Sequence, residues 1–175
     1  TTLKQYAIMG NLLVSGLVAL SILLVPIFAL LPAMIPPNQE AQLTFFKIVV
    51  DYALFALVIN FVWEVVIDIE DVDGDHKAGM HTLHILLGRD RAKYIAFALS
   101  LIPIAGVIYY MSSYLYQHQI LVGYFLLLVI APLIYCSIKL FNAKRKAEFK
   151  RISLFYKIIM LTGLLSILLY PFVLK

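Results

Sequence analysis

Four carboxylates, Glu64, Asp68, Asp71 and Asp75, follow one another at steps of four, three and four residues. At helical pitch that spacing puts all four on one face, and Asn60 extends the stripe one turn deeper into an apolar segment. Six of the chain's ten acidic residues lie between Glu64 and Asp75. Carboxylates beside a bilayer are costly, and bare ones at this spacing repel, so the arrangement calls for a positive partner. Oxygen donors at a water-lined helix end suit a hard cation, Mg²⁺ above all. Lys77 follows at once. Acid followed directly by base is what a metal–phosphate substrate needs: carboxylates for the ion, and an ammonium for the remaining phosphate charge. Glu70 and Asp73 fall off the stripe and read as solvated charges. Gly79 and Gly88 read as turn or helix-end glycines.

The elements that must carry these residues are membrane helices. The chain is 63% hydrophobic and 14% charged, with a mean hydropathy of +0.94, whereas soluble domains are about 25% charged. Five stretches approach the roughly 20 apolar residues a spanning helix requires: 8–31, 43–66, 94–112, 120–141 and 155–173. A lipid-exposed backbone must satisfy its own hydrogen bonds, so the fold class is all-α, a polytopic transmembrane helix bundle. Pro26, Pro32, Pro103 and Pro132 mark kinks or ends, and Pro36-Pro37-Asn38 is a turn. The single cysteine, Cys136, excludes an intrachain disulfide framework or a Cys-rich zinc site and reads as a core or lipid-facing residue.

The connections alternate in charge. Those at 32–42 and 113–119 hold no Lys or Arg, whereas those at 67–93 and 142–154 are basic. Twelve of the fourteen basic residues, all but Lys47 and Lys175, fall on one side. The positive-inside rule makes that side cytoplasmic, with the acidic cluster facing it and the chain seated in an inner or plasma membrane. The pI near 9.1 therefore reports topology, not nucleic-acid binding. Lys144 to Arg151 reads as an anchor near anionic lipid, and Tyr109, Tyr110, Tyr114 and Tyr116 as an interfacial aromatic belt. The first apolar stretch is too long for a signal peptide, and residue 1 is Thr, so the chain is expected to begin within a longer protein.

The run Asp68-Ile69-Glu70-Asp71-Val72-Asp73-Gly74-Asp75-His76-Lys77-Ala78-Gly79, with Thr82-Leu83 beyond it, closely resembles the second aspartate-rich motif of the UbiA family of intramembrane prenyltransferases. The Gly10-Asn11 pair and the helix spacing resemble the family from its fifth helix onward. The resemblance implies a nine-helix bundle with one aspartate-rich motif in each half. Residues 1–175 would then be the C-terminal half, five helices of the nine, with the N-terminal half of the same protein as its partner. The family's first motif (Asn-Asp-x-x-Asp) has no counterpart here, and its Tyr-x-x-x-Lys element would put the Lys at Lys4 and the Tyr before Thr1. The isolated chain is accordingly expected to be inactive. Ile67 stands where many relatives carry Lys, His84 where Pro commonly follows Thr-Leu, and His81 replaces a frequent basic residue.

What the resemblance implies is Mg²⁺-dependent transfer of a prenyl group from a geranylgeranyl or other polyprenyl diphosphate to a lipid-soluble acceptor, releasing diphosphate. The archaeal-type acceptor, geranylgeranylglyceryl phosphate, ranks ahead of a quinone-precursor aromatic acid. Asp68, Asp71 and Asp75 would hold the metal and carry the catalysis, with Lys77 and Lys4 on the diphosphate and Asn11 in the same site. Asn60 and Glu64 would orient the acceptor or a metal-bound water, or else tie helices together. Two other classes stand against this reading. A CDP-alcohol phosphotransferase needs Ala-Arg after Asp73-Gly74 and a distal aspartate pair, and both are missing. Half of a cation transporter would use the carboxylates as an ion site, near the midplane and on broken helices.

Overall fold

The computed structural model describes residues 7–33, 35–77 and 89–173. Five helices are long and apolar enough to cross a membrane, and no strand occurs among the described residues. Helix α1 spans Ala7–Ala29. A 3-10 turn at Pro36–Asn38 leads into α2, Gln39–Lys77. Helix α3 spans Arg89–Tyr110 and runs on through a π-helical turn, Met111–Leu115. Helix α4 covers Gln119–Asn142, with a π-helical turn at Leu126–Ile130. Helix α5, Lys146–Leu165, continues through a 3-10 turn at Ser166–Leu169 to a last short turn, Tyr170–Val173.

Helices α2, α3, α4 and α5 close a ring in which each packs against the next, and α1 lies along α2. Buried residues recur at helical spacing on the inward faces: Val62, Val66 and Ile69 on α2; Leu133, Cys136 and Leu140 on α4; Phe149, Ile152, Tyr156 and Ile159 on α5. Cys136 is thus a core residue. The outward faces are apolar as well, with Leu13, Leu17, Leu20 and Leu24 exposed on α1 and Leu127, Ile134 and Ile138 on α4. Such a surface suits lipid rather than water.

Inside an apolar bundle each backbone group needs a partner, and the prolines test this. Pro132 has no N–H to offer the carbonyl of Leu128, four residues back. The backbone there takes the π-helical turn, and Thr162 of α5 donates its Oγ1 hydroxyl to that carbonyl at 3.0 Å. Between α3 and α4, Ser100 and Ser137 share a hydroxyl hydrogen bond at 2.7 Å. Pro26 sits one turn from the end of α1, where its carbonyl accepts from both Leu30 and Leu31.

Two expected boundaries move. The stretch after residue 66 is expected as a loop, but α2 continues to Lys77 and carries the acidic run as helix. Its 39 residues reach roughly 58 Å at the helical rise, nearly twice the ~30 Å hydrocarbon core. The polar end can therefore stand in water without breaking the helix. Helix α5 likewise starts at Lys146 rather than 155. There Glu148 accepts backbone N–H bonds from Lys144 (2.7 Å) and Arg145 (2.9 Å), satisfying donors at the helix start. The basic stretch is helical because Phe149, Ile152 and Ser153 bury its inner face.

Candidate functional site

The acidic stripe is borne by a single unbroken helix, and its residues meet different partners. Helix α1 runs antiparallel to α2, and two polar rungs join them. Asn11 Nδ2 donates to Asp68 Oδ2 at 2.6 Å. Asn60 Nδ2 donates to Ser15 Oγ at 3.2 Å, and that hydroxyl donates to the Asn11 carbonyl at 2.7 Å. Asn11, Ser15 and Asn60 are buried. Asn60 therefore ties helices, the plainer of its two expected roles, whereas Asn11 holds a candidate metal-binding carboxylate in a fixed pose. Glu64, one turn deeper than Asp68, is half-buried on the same stripe.

Asp71 turns the other way. Its Oδ1 lies 3.3 Å from Nζ of Lys146, the first residue of α5, with both side chains about half exposed (52% and 51%). A pair this open contributes little, typically ~0–1 kcal/mol, so Asp71 can exchange that ammonium for another cation at small cost. Sequence reasoning missed Lys146 and assigned its whole stretch to lipid anchoring. The signal was an ammonium at a helix start brought beside an acidic helix end, and only the packing of α5 on α2 reveals it. Below this level Trp63 Nε1 donates to Ser153 Oγ at 3.0 Å, and Lys157 Nζ lies 5.2 Å from the Trp63 ring centroid, fastening the same two helices.

The helical backbone places Asp75 and Lys77 on the last turns of α2. Lys4, Gly79, His81, His84 and Gly88 lie outside the described residues. Among the described residues no three carboxylate, histidine or cysteine groups gather as a metal cluster. Asp68 and Asp71 nonetheless fit the group expected there, because Mg²⁺ is usually bound through one or two carboxylates plus substrate phosphate oxygens rather than by an all-protein cage.

Deeper in the bundle lies a cavity of about 340 Å³, near the low end of the ~300–1,000 Å³ usual for small-molecule sites. All five helices line it, through residues such as Val18, Ile59, Val107, Val129 and Ile159. Its lining begins beside the Asn60–Ser15 rung, at Val18 and Ile59. At ~1.5 Å per residue Ile59 is roughly 14 Å below Asp68 along α2, and Tyr52, at the far end, roughly 24 Å. A charged helix end, a polar collar and an apolar chamber therefore follow one another along α2. Tyr110, expected in the interfacial belt, is buried and faces this chamber, whereas Tyr109, Tyr114 and Tyr116 are exposed as expected. Three of four adjacent tyrosines fit the belt, and helical phase alone turns the fourth inward.

Known proteins bear on this arrangement. The model of the UbiA prenyltransferase family matches residues 1–159. The chain is 28% identical to the digeranylgeranylglyceryl phosphate synthase of Methanosphaera stadtmanae over 94% of its own length and 54% of the relative's. It is 34% identical to the synthase of the same name from Methanococcoides burtonii, over 59% of this chain and 35% of that protein. A third, from Thermococcus gammatolerans, is 52% identical over 25% of this chain and 16% of the relative. The chain thus spans about half the length of the first of these relatives and less of the others. The first of these matches covers nearly all of this chain. No solved structure matches. Members of the matched family generally depend on a divalent metal. With five apolar helices and a family match over nearly its whole length, this integral membrane protein belongs to the UbiA prenyltransferase family.

Proposed function

We propose that the chain forms the diphosphate-activating wall and prenyl chamber of a membrane prenyltransferase, which transfers a prenyl group from a prenyl diphosphate to a lipid-soluble acceptor. The observation that carries this reading is the sequence of environments along α2: fixed and exchangeable carboxylates, then the Asn60–Ser15 collar, then an apolar cavity. A prenyl diphosphate has that polarity, with a dense anion at one end and a hydrocarbon at the other.

Asp68 and Asp71, with Asp75 one turn further, are the residues that would hold Mg²⁺. When bound, that ion offsets the negative charge growing on the departing diphosphate. The chain's own groups prepare for it. Asn11 donates to one oxygen of Asp68 and so orients that carboxylate. Lys146 neutralises Asp71 at rest, and on exchange its ammonium is free to meet the diphosphate. Lys77, and Lys4 by the family resemblance, supply further positive charge. The apolar chamber, which begins deeper along α2, takes the hydrocarbon tail out of water. Glu64, on the deeper turn, orients the acceptor.

The acceptor we favour is geranylgeranylglyceryl phosphate, because the relatives named above are digeranylgeranylglyceryl phosphate synthases. An aromatic quinone precursor comes second. The acidic end lies on the cytoplasmic side of an inner or plasma membrane, by the distribution of the basic residues. A transporter half would place its charges on an interrupted helix near the midplane, whereas α2 runs unbroken through the acidic run.

The test offers membranes holding the full gene product radiolabelled geranylgeranyl diphosphate and Mg²⁺, with geranylgeranylglyceryl phosphate and 4-hydroxybenzoate in parallel. Label should move to the glyceryl phosphate and stop with EDTA. Transfer to neither acceptor, beside an active control enzyme, would overturn the reading.

A further inference from the structure

The far end of the chamber is built differently from its sides. Tyr52 and Tyr110 line the cavity there, and Tyr170 of α5 stands behind them. The rings of Tyr52 and Tyr170 meet edge to face, 6.1 Å apart at 74°, and those of Phe55 and Tyr110 do likewise, 5.5 Å apart at 83°. Hydroxyls lock the group: Tyr110 to Tyr170 at 2.8 Å, and Tyr52 to Ser166, whose Oγ also donates to the Gly163 carbonyl at 2.6 Å. Tyr52, Tyr110, Tyr170 and Ser166 are all buried. Three aromatic side chains from three helices, cross-linked in an apolar surround, make a stiff wall, because in such a medium each hydroxyl loses its hydrogen bond if it moves.

Beside that wall the chain leaves room. Gly163 lines the cavity, and a Cβ placed on it would have no neighbour within 4 Å. The space is therefore part of the chamber and not a site of close helix approach. It lies about one turn from Ser166, at the depth of Tyr52.

Given that the chamber takes the prenyl tail, which is the reading proposed above, we propose that the Tyr52–Tyr110–Tyr170 wall is a chain-length stop and that the space at Gly163 receives the donor's last isoprene unit. A donor whose diphosphate sits at Asp68 and Asp71 runs down α2 until its terminal methyls meet the tyrosine rings. One unit fewer leaves apolar space unfilled, and one unit more collides with a wall that cannot yield. The residues that select the donor thus lie roughly 24 Å from those that activate it.

Two opposite substitutions test this in the full gene product, each assayed in membranes with farnesyl, geranylgeranyl and geranylfarnesyl diphosphates. Gly163→Leu fills the space with a better helix former than glycine and should shift the kcat/KM ratio toward the shorter donor by about tenfold or more. Tyr52→Ala opens the wall while Ser166 keeps its bond to the Gly163 carbonyl, and should shift the ratio toward the longer donor by about tenfold. Opposite shifts in the two variants support the stop. An unchanged donor profile in both, or loss of transfer from every donor in Gly163→Leu, overturns it. Absence of transfer from any donor by the unaltered protein overturns instead the prenyltransferase reading beneath it.

Discussion

The two ends of the bundle solve the problem of polar groups near lipid in opposite ways. At the far wall of the chamber the groups are hydroxyls, buried and bonded in pairs: Tyr52 with Ser166, and Tyr110 with Tyr170. At the acidic end they are charges, with Asp71 and Lys146 half exposed and in contact at 3.3 Å. Buried neutral pairs are hard to exchange, because nothing in the surroundings replaces a lost partner. Exposed ionic pairs exchange readily, because water and other ions do. One end is made to hold its shape and the other to change partners, as a chamber and an activation site require.

The largest break in that contrast should come from the carboxylates. Asp71→Ala, or Asp68→Ala, should reduce prenyl transfer by about 10³-fold, and Asp71→Ala should leave membrane insertion and thermal stability near wild type, read by radiolabel transfer and detergent-solubilised melting. Wild-type-like turnover by either would remove these residues from the site. Asn11→Ala should have a smaller effect, about 10–100-fold on transfer, because it removes one hydrogen bond that orients Asp68 but keeps the carboxylate. Restoration of most activity by Asn11→Gln would show that the amide donor is what matters.

Stability should respond most on the buried side. Thr162→Val removes the donor to the Leu128 carbonyl that Pro132 leaves unpaired, and should cost about 1–2 kcal/mol in unfolding measurements. A neutral result would mean that the π-helical turn satisfies this carbonyl unaided. The smallest effect is expected at Lys146→Met, no more than about 1 kcal/mol and weaker still at high salt. A larger loss would make the Lys146–Asp71 pair a structural clamp and would erase the contrast between the two ends.

Much of this was legible in the residues. Hydropathy gives the five spans because lipid leaves few alternatives to helix, and the 4-3-4 spacing of carboxylates sets them on one face whether or not the segment is recognised as helical. What escaped was whatever depends on a neighbouring helix. Nothing local to Lys146 says that it will reach Asp71, nothing near Ser15 that it will meet Asn60, and Tyr110 differs from Tyr109 only in helical phase. The boundaries missed were those where polar residues form helix: the end of α2, carried past the apolar region to Lys77, and the start of α5, where Glu148 satisfies the first backbone donors.

In the proposed function the carboxylates of α2 bind a divalent cation together with a diphosphate. The most direct measurement is Mn²⁺ binding by electron paramagnetic resonance to the purified full gene product, with and without a non-hydrolysable geranylgeranyl thiodiphosphate. Binding should strengthen sharply with the diphosphate present and be lost in Asp71→Ala. Binding equally strong without the diphosphate, and unchanged in that variant, would contradict it.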